Sequence, residues 1–289
     1  MKIKILIPIF NDWESINELL KNIDLDIKYL NHEFSVTIVN DASTEIKNID
    51  TKNFQKIYSI ELVHMIENRG HARCIATGLK YIFENKEFDY IIPMDGDGED
   101  RPKEIKDFVE YIQHSPGKLI VGERAKRSEN LIFRFCYHIH KILTLVFTGR
   151  SIKFGNFTCI PKLTVKKMLN EKTTWSSFSG ALTKVEKDKL SILSIRGKRY
   201  FGPSKMSFIN LLKHSLSIIA VFRINVLIRS FFFLIIYLFL ILSKISLITL
   251  IPILLVFIMN VVIFNLAKRE NIDEFNNSLL NIKSVEKIK

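Results

Sequence analysis

The first half of the chain alternates between short apolar runs and amphipathic stretches. KIKILIPIF has the pattern of a buried strand, and DWESINELLKNIDLDIKYL repeats its apolar residues at helical spacing, with Asp12 placed as N-cap and Glu14 and Ser15 in the first turn. FSVTIVN and SIELVHMIEN read as a second and a third strand, and HARCIATGLKYIFEN as the next helix. FDYIIPM predicts a fourth strand, PKEIKDFVEYIQH a helix opened by Pro102, and KLIVGE a fifth strand. Strands alternating with helices imply an α/β fold with a largely parallel sheet covered on both faces. Ligands in such sheets bind beyond the carboxyl ends of the strands. The loops PIFND, NDAST and DGDGEDRP all lie there, so chemistry is expected in them.

The second half changes character. From about Asn130 to Ser207 the periodicity is less regular and basic residues are frequent. MSFINLLKHSLSIIAVFRINVLIRS then sets Lys213, His214, Arg223 and Arg229 among apolar residues, the pattern of an amphipathic segment lying in a membrane interface. The block from Ser230 to Leu266 is too long for one span and is broken at Ser243-Lys244, which predicts a helical hairpin. Its second arm, Ile245 to Leu266, exceeds the roughly 20 residues that a span needs. The first arm borrows Ile224 to Ile228 and leaves Arg229 to snorkel. The expected division is an α/β domain over 1–207, an interface segment over 208–229, the hairpin over 230–267 and a polar tail over 268–289 without recognisable chemistry. Arg223 and Arg229 flank one end of the hairpin, Lys268 and Arg269 the other, and the turn carries only Lys244. That bias places the α/β domain and both termini in the cytoplasm, on a multi-pass membrane protein.

Composition sharpens this only in part. The 289 residues carry a formal net charge of +12 and are 47% hydrophobic, and the mean hydropathy of +0.14 is high for a soluble enzyme. The apolar excess sits in the hairpin block. A basic balance suits nucleic acid, anionic lipid or phosphorylated ligands. Nucleic acid is set aside, because the crevice mouth is acidic and the basic residues adjoin an apolar anchor, not an aromatic stacking surface. Cys74, Cys136 and Cys159 are far apart with no CxxC spacing, which fits a reduced compartment and small buried hydrophobes. MKIKILIPIF runs straight into folded sequence and has no leader pattern.

The stretch IIPMDGDGEDRPKEI puts four carboxylates, Asp95, Asp97, Glu99 and Asp100, into six residues of this basic chain. In an exposed turn they would simply be solvated. Here they end a buried strand at the crevice edge, and Gly96 and Gly98 free the backbone for close approach to a ligand. Carboxylates at alternating positions 95, 97 and 99 can converge on one hard divalent cation. A calcium EF-hand loop is excluded: counted from Asp95, the required glycine is Asp100 and the required closing Glu is Lys106. A magnesium or manganese ion shared with a substrate diphosphate fits the spacing.

At these residues the sequence resembles the family 2 glycosyltransferases of the GT-A fold. PIFND is similar to that family's P-V-Y-N-E, VNDAST to its V-D-D-G-S, NRGHARCIATGL to N-x-G-x-x-x-A-x-x-x-G, and MDGDGEDRPKEI to M-D-A-D-L-Q-D-P-P-E-x-I. RYFGPSKMS resembles the R-x-x-G-x-S-K-Y of the polyprenyl- and dolichol-phosphate sugar synthases, whose bacterial members carry a C-terminal hairpin. The resemblance covers about residues 3 to 267 and implies a GT-A catalytic domain followed by amphipathic interface helices and a two-helix transmembrane hairpin. It places Pro8 and Asp12 in the nucleotide pocket, Asp41 at the base or ribose, and Asp95 and Asp97 as the D-x-D pair, Asp95 nearer the nucleotide and Asp97 on the metal. Glu99 falls where the subgroup often has a Gln that also reaches the metal. Arg124 would lie near the phosphates, and Arg134 and Lys205 would face the acceptor phosphate. Asn40 departs from the family by replacing the first Asp of the usual pair, and Asp12 by replacing Glu.

The chemistry implied is transfer of a sugar from a UDP- or GDP-linked donor, with Mg²⁺ or Mn²⁺ and arginines neutralising the leaving diphosphate. A hydroxyl acceptor needs a general base, yet WSSFSGALTK contains no carboxylate, and the Q-x-x-R-W signature of processive synthases is missing. Both features favour an acceptor that is already anionic, a polyprenyl phosphate at the cytoplasmic face, as in cell-envelope glycan assembly. Transfer to a hydroxyl of a lipid-linked glycan or glycolipid is the alternative, and a non-catalytic scaffold the remaining one. The expected partners are the nucleotide-sugar, the lipid phosphate and the bilayer, with no nucleic acid; the hairpin also offers a surface for homo-oligomers. His64 and His71 belong to no metal spacing, so structural or surface roles are expected for them. Trp175 is a candidate for the acceptor, the membrane or the core.

Overall fold

The computed structural model describes residues 1–45, 49–51, 53–126, 131–203 and 208–289. The first strands and helices fall where the apolar pattern places them: β1 (Lys2–Ile9), α1 (Trp13–Asp26), β2 (Glu33–Asn40), β3 (Ile57–Met65), α2 (His71–Asn85) and β4 (Tyr90–Pro93). A 3-10 turn at Pro102–Glu104 leads into α3 (Ile105–His114), then β5 (Leu119–Lys126) and α4 (Leu131–Thr148). The less regular region contains β6 (Phe154–Pro161), α5 (Lys162–Leu169), α6 (Phe178–Val185) and β7 (Lys189–Ile195). After these come α7 (Phe208–Ala220), α8 (Arg223–Ile241), α9 (Leu247–Ala267), α10 (Ile272–Asn276) and β8 (Ile282–Lys287).

The chain forms two compact units: Met1–Ser128, Lys153–Lys205 and Asn271–Lys289 in the first, Glu129–Ile152 and Met206–Glu270 in the second. The first is built on one sheet ordered β7-β5-β6-β4-β1-β2-β3-β8. Its centre is parallel, β4 with β1, β1 with β2 and β2 with β3. β6 runs antiparallel to both β4 and β5, while β7 is parallel to β5. Two reversals restore direction, so β7 ends at the same edge as β4. In register Ile9 lies opposite Asn40 and Leu6 opposite Pro93, which brings the loops after β1, β2 and β4 to that edge together.

Burial on both faces explains why these strands read as continuous apolar runs. Ile3, Ile5 and Ile7 meet Ile16, Leu19, Leu20 and Ile23 of α1 and Phe108 and Ile112 of α3, all buried. Phe108 packs edge-on to Phe157 of β6 with centroids 4.9 Å apart. Each such side chain, fully buried, contributes about 1.5–3 kcal/mol. This is the rigid platform under the loops.

β8 is not foreshadowed by the apolar pattern. It pairs antiparallel with β3, from Glu61 opposite Lys287 to Met65 opposite Ile282. Just before it, Phe275 stacks on Trp175 at 5.6 Å, and Glu274 accepts the Trp175 indole N–H at 2.9 Å. Trp175 is therefore a buried packing residue.

In the second unit α8 and α9, of 19 and 21 residues, are long and apolar enough to cross a membrane. Their outer residues are exposed in bulk, among them Phe231, Phe239, Leu247 and Leu254, an apolar surface far beyond that of a water-facing helix pair. The break between the arms falls as expected, and Ser246 with Thr249 forms a capping box that starts α9. Val226, Ile263 and Ala267 pack with Phe147 and Ile219. Arg223 pairs with the buried Glu270, joining the first residue of α8 to the chain just after α9.

Candidate active site

The site is assembled by loops at the carboxyl edge of the sheet. Asp95, Asp97, Glu99 and Asp100 follow β4 directly, and two of them are used at once to shape the loop: Asp100 Oδ2 accepts the Asp95 N–H at 2.9 Å, and Asp97 Oδ1 accepts the Glu99 N–H at 3.0 Å. Gly98 has φ +88°, a left-handed conformation, and a Cβ there would clash with the Tyr200 ring. Its glycine is thus required by a close neighbour as well as by the turn.

That neighbour comes from the end of β7. Arg199 Nη1 donates to Asp97 Oδ2 at 2.9 Å, and its Nη2 donates to Asp12 Oδ2. Arg196 pairs with Glu99. The backbone follows the same path: Gly197 N–H donates to the Glu99 carbonyl at 2.7 Å and Tyr200 N–H to the Asp97 carbonyl at 2.9 Å. Asn22 of α1 donates to the Tyr200 hydroxyl at 3.0 Å. Glu104 is the hinge pin beneath, accepting from Arg101 Nε at 2.8 Å, Ser194 Oγ at 2.6 Å and Ile195 N–H at 3.0 Å. Asp12 consequently does not cap α1 with its side chain, contrary to the sequence expectation; its carboxylate is given to Arg199.

Asp95 faces the other way. Asn156 of β6 donates to Asp95 Oδ1 at 3.2 Å and lies 2.7 Å from His71 Nε2, which is itself 3.4 Å from the same carboxylate oxygen. Arg124 of β5 lies against Gly155, with a guanidinium nitrogen 2.6 Å from where a Cβ would stand. Its charge reaches Asp95 and Asp100.

The electrostatics separate the acids. Burial alone would raise the Asp95 carboxyl, but the hydrogen bond and charge of His71, with Arg196 and Arg124, hold it well below the usual carboxylate range. Asp97 is pushed up to about 6, first by burial and then by the charge on Asp95, despite Arg199 and Arg196. Asp100 is pushed well up by burial and by Asp95. His71 is raised: burial opposes its charge, and Asp95 outweighs that. The loop holds more negative charge than its own cations settle.

The loops after β2 and β3 are tied by Asp41, which is buried and accepts from the backbone N–H groups of Arg69 and Gly70, both at 2.9 Å. Burial raises its carboxyl, with these bonds opposing. Asn40 donates to His64 Nδ1 at 3.0 Å and accepts the Ser43 N–H at 3.0 Å, while Ser43 Oγ accepts the Asn11 N–H at 2.8 Å. His64 Nε2 in turn stands 3.4 Å from Glu286 of β8. An amide suits position 40 because one arm must donate to the ring and the other accept from the loop. Asn11 and Ala42, on either side of this linkage, have φ +52° and +54°. For Ala42 that left-handed geometry costs about 1–2 kcal/mol, the kind of strain found where loops are held for a ligand.

Of the residues singled out in the sequence, Asp12, Asp95, Asp97, Glu99 and Arg124 meet around the acid loop. Pro8 is buried near the end of β1, with its carbonyl 3.3 Å from where a Gly96 Cβ would stand. Arg134 lies on α4, its side chain outside the described residues, and Lys205 lies outside them altogether. The expected metal trio is not assembled: among the described residues no three acids or histidines are grouped to hold an ion, and Glu99 is engaged by Arg196. Asp95 and Asp97 form a hard-oxygen pair with surplus negative charge, which fits a divalent cation completed by phosphate oxygens. His71, Asn156, Glu104, Arg196 and Arg199 are additions. Arg199 did carry a signal, since it heads the RYFGPSK motif.

Comparison with known proteins agrees with this arrangement. The chain is 26% identical over 222 residues to undecaprenyl-phosphate 4-deoxy-4-formamido-L-arabinose transferase of Proteus mirabilis, covering 73% of this chain and 64% of that relative. It is 23% identical over 136 residues to dodecaprenyl-phosphate galacturonate synthase of Rhizobium johnstonii, covering 46% of this chain and 39% of the relative. Among solved structures, S. aureus TarS 1–349 with UDP-GlcNAc superposes with a TM-score of 0.53 at 15% identity, over 80% of this chain and 70% of that one. Glucosyl-3-phosphoglycerate synthase of Mycobacterium tuberculosis, solved with Mn²⁺, UDP and product, gives 0.53 at 12% identity, over 78% and 79%. These two share the fold, a mixed α/β sheet of GT-A type. The family model for glycosyl transferase family 2 matches residues 4–173, the segment that supplies β1 to β6 and the whole acid loop, and the chain belongs to that family.

Proposed function

We propose that this protein is a membrane-anchored, inverting glycosyltransferase that moves one sugar from a UDP- or GDP-linked donor to a polyprenyl phosphate at the cytoplasmic face of the inner membrane, in cell-envelope glycan assembly. The observation that carries the reading is the acid loop: a half-buried carboxylate pair, Asp95 and Asp97, at the mouth of a GT-A sheet, with arginines converging on it. The polyprenyl-phosphate chemistry named for the relatives from Proteus and Rhizobium supports the acceptor class, and the two apolar helices support the anchor.

A divalent cation held by Asp95 and Asp97 would neutralise charge on the leaving diphosphate. The chain's own groups do the rest. His71 and Asn156 fix Asp95 in one orientation, so the pair is preorganised. Arg124, Arg196 and Arg199 supply positive charge within reach of the leaving group. In the step itself an acceptor phosphate oxygen bonds to the anomeric carbon as the bond to the nucleoside diphosphate breaks. An anionic oxygen needs no base, and none is provided by WSSFSGALTK. β8 follows the hairpin yet pairs within the same sheet as β1 to β7. That pairing supports two spans, which return the chain to the side it left, in keeping with the Arg and Lys residues at both hairpin ends.

The test uses the full chain in detergent with Mn²⁺ or Mg²⁺, labelled UDP- and GDP-sugars, and a polyprenyl phosphate. Label entering the lipid fraction, and lost with chelator or in Asp97→Asn, is the expected result. Transfer only to a hydroxyl-bearing lipid-linked glycan would replace the acceptor in this reading. Transfer of no sugar to any acceptor by folded protein would overturn it.

A further inference from the structure

The seat between Asp12 and Asp97 is filled by a cation of the chain's own. Arg199 bridges two carboxylates on different loops, and both side chains are less than a fifth exposed. Four further contacts hold the segment down: Arg196 on Glu99, Gly197 N–H on the Glu99 carbonyl, Tyr200 N–H on the Asp97 carbonyl, and Tyr200 OH on Asn22. A Cβ at Gly197 would stand 2.8 Å from the Gly98 carbonyl, so the two backbones are in direct contact. Glu104 fixes where the segment leaves β7. A residue serving only to neutralise Asp97 would need none of this backbone fastening.

We propose that residues 196–203 form a strap that closes the ligand-free site, with Arg199 as a resident cation that a divalent ion must displace. The inference rests on reading the acid loop as the cation and diphosphate site. Asp97 Oδ1 already accepts the Glu99 N–H and Oδ2 the Arg199 guanidinium, so an ion entering this carboxylate competes with Arg199 for its oxygens and repels its charge; displacement of the guanidinium then releases the hydrogen bonds at Gly197 and Tyr200. Arg196 and Arg199 are then free to meet the incoming diphosphate, whose oxygens suit a guanidinium fork. Among the described residues Arg196 Nε is buried without a hydrogen-bond partner in the closed state, a cost that the open state removes. The strap thus compensates part of the acid loop's charge until the donor and its cation arrive.

The experiment measures Mn²⁺ binding to the detergent-solubilised full chain, from the loss of the free-ion paramagnetic signal, without nucleotide and with UDP or GDP. Arg199→Gln should tighten binding of Mn²⁺ alone about tenfold, and Arg199→Lys should restore the weaker value. In the wild-type protein, Mn²⁺ should speed hydrogen exchange at the Gly197 and Tyr200 amides, a readout that needs no variant. If the wild-type protein binds Mn²⁺ with those amides unchanged, or if Arg199→Gln binds it no more tightly, the strap is not displaced; the inference falls and the proposed function stands. If no Mn²⁺ binds to either protein with or without UDP or GDP, both fall together.

Discussion

Asp97 is the residue at which stability and function pull apart. Its folded value of about 6 exceeds that of an ordinary aspartate because burial and Asp95 oppose its charge. The folded state therefore keeps the proton that the unfolded chain has already lost. The stability that Asp97 contributes is complete below the ordinary aspartate range and is lost as pH rises through about 6. In chelator, Asp97→Asn should match the wild type in thermal stability near pH 4. By pH 7.5 it should be more stable by roughly 3 kcal/mol, although its transferase activity falls by about 10²–10³. Parallel melting curves across pH test this, and a variant no more stable at high pH refutes it. Asn40→Ala should act oppositely: it strips a buried donor from His64 and a buried acceptor from Ser43. A loss of about 1–3 kcal/mol is expected, with weaker nucleotide binding because the Ser43–Asn11 contact loosens. The acids were legible in the sequence because they lie within six residues of one another. Arg196 was not, and Arg199 showed only as the head of the RYFGPSK motif and not as a partner of the acids, since the two meet Glu99 and Asp97 across 97 and 102 residues of chain. His71 was undervalued for the same reason: Asp95 and Asn156 reach it only through the fold.

At the level of elements, periodicity succeeded where a segment buries one face or two and failed where it buries little. β1 to β4, α2 and the hairpin arms could be placed because their apolar content is high and continuous. β8 could not: most of its side chains are exposed, and what holds it is backbone pairing to β3. Lys289 Nζ adds bonds to the carbonyls of Phe54 and Ile57 at 2.7 and 2.6 Å. Its contribution is to cover an edge that would otherwise offer open donors and acceptors. Removing residues 282–289 should therefore leave helix and sheet content nearly intact, while exchange accelerates at Ile60, whose N–H donates to the Lys289 carbonyl, and the detergent-solubilised protein self-associates on size exclusion. Unchanged exchange along β3 would contradict this role. Two free thiols belong to the same scale; the side chain of Cys136 lies outside the described residues. Cys74 on α2 and Cys159 on β6 are buried, and burial pushes both thiols up. Neither should take up iodoacetamide at pH 8 until the protein is denatured, as peptide mapping would reveal.

For the molecule as a whole, the sequence yielded an α/β body and an apolar pair of helices, and the structure interleaves them. Residues 129–152 of the second unit interrupt the first between β5 and β6, and 271–289 return to the first after the hairpin. Linear division of a sequence cannot reveal such returns, which are decided by pairing and not by composition. On the proposed function, vesicles containing anionic lipid should carry the full chain upward in a flotation gradient. A variant with residues 223–267 replaced by a flexible linker should stay at the bottom, yet still bind nucleotide. Flotation of that variant would point to another anchor.

The late return of β8 also sets an order of events during synthesis. The partner for β3 leaves the ribosome only after both apolar helices have been made, so the sheet cannot be finished until the hairpin has been dealt with. A nascent chain whose helices fail to insert has two hazards at once, greasy helices and an unpaired strand edge. On the proposed function, completion of the sheet therefore trails insertion into the bilayer, and a chain that misses the bilayer exposes a strand edge open to pairing with other chains.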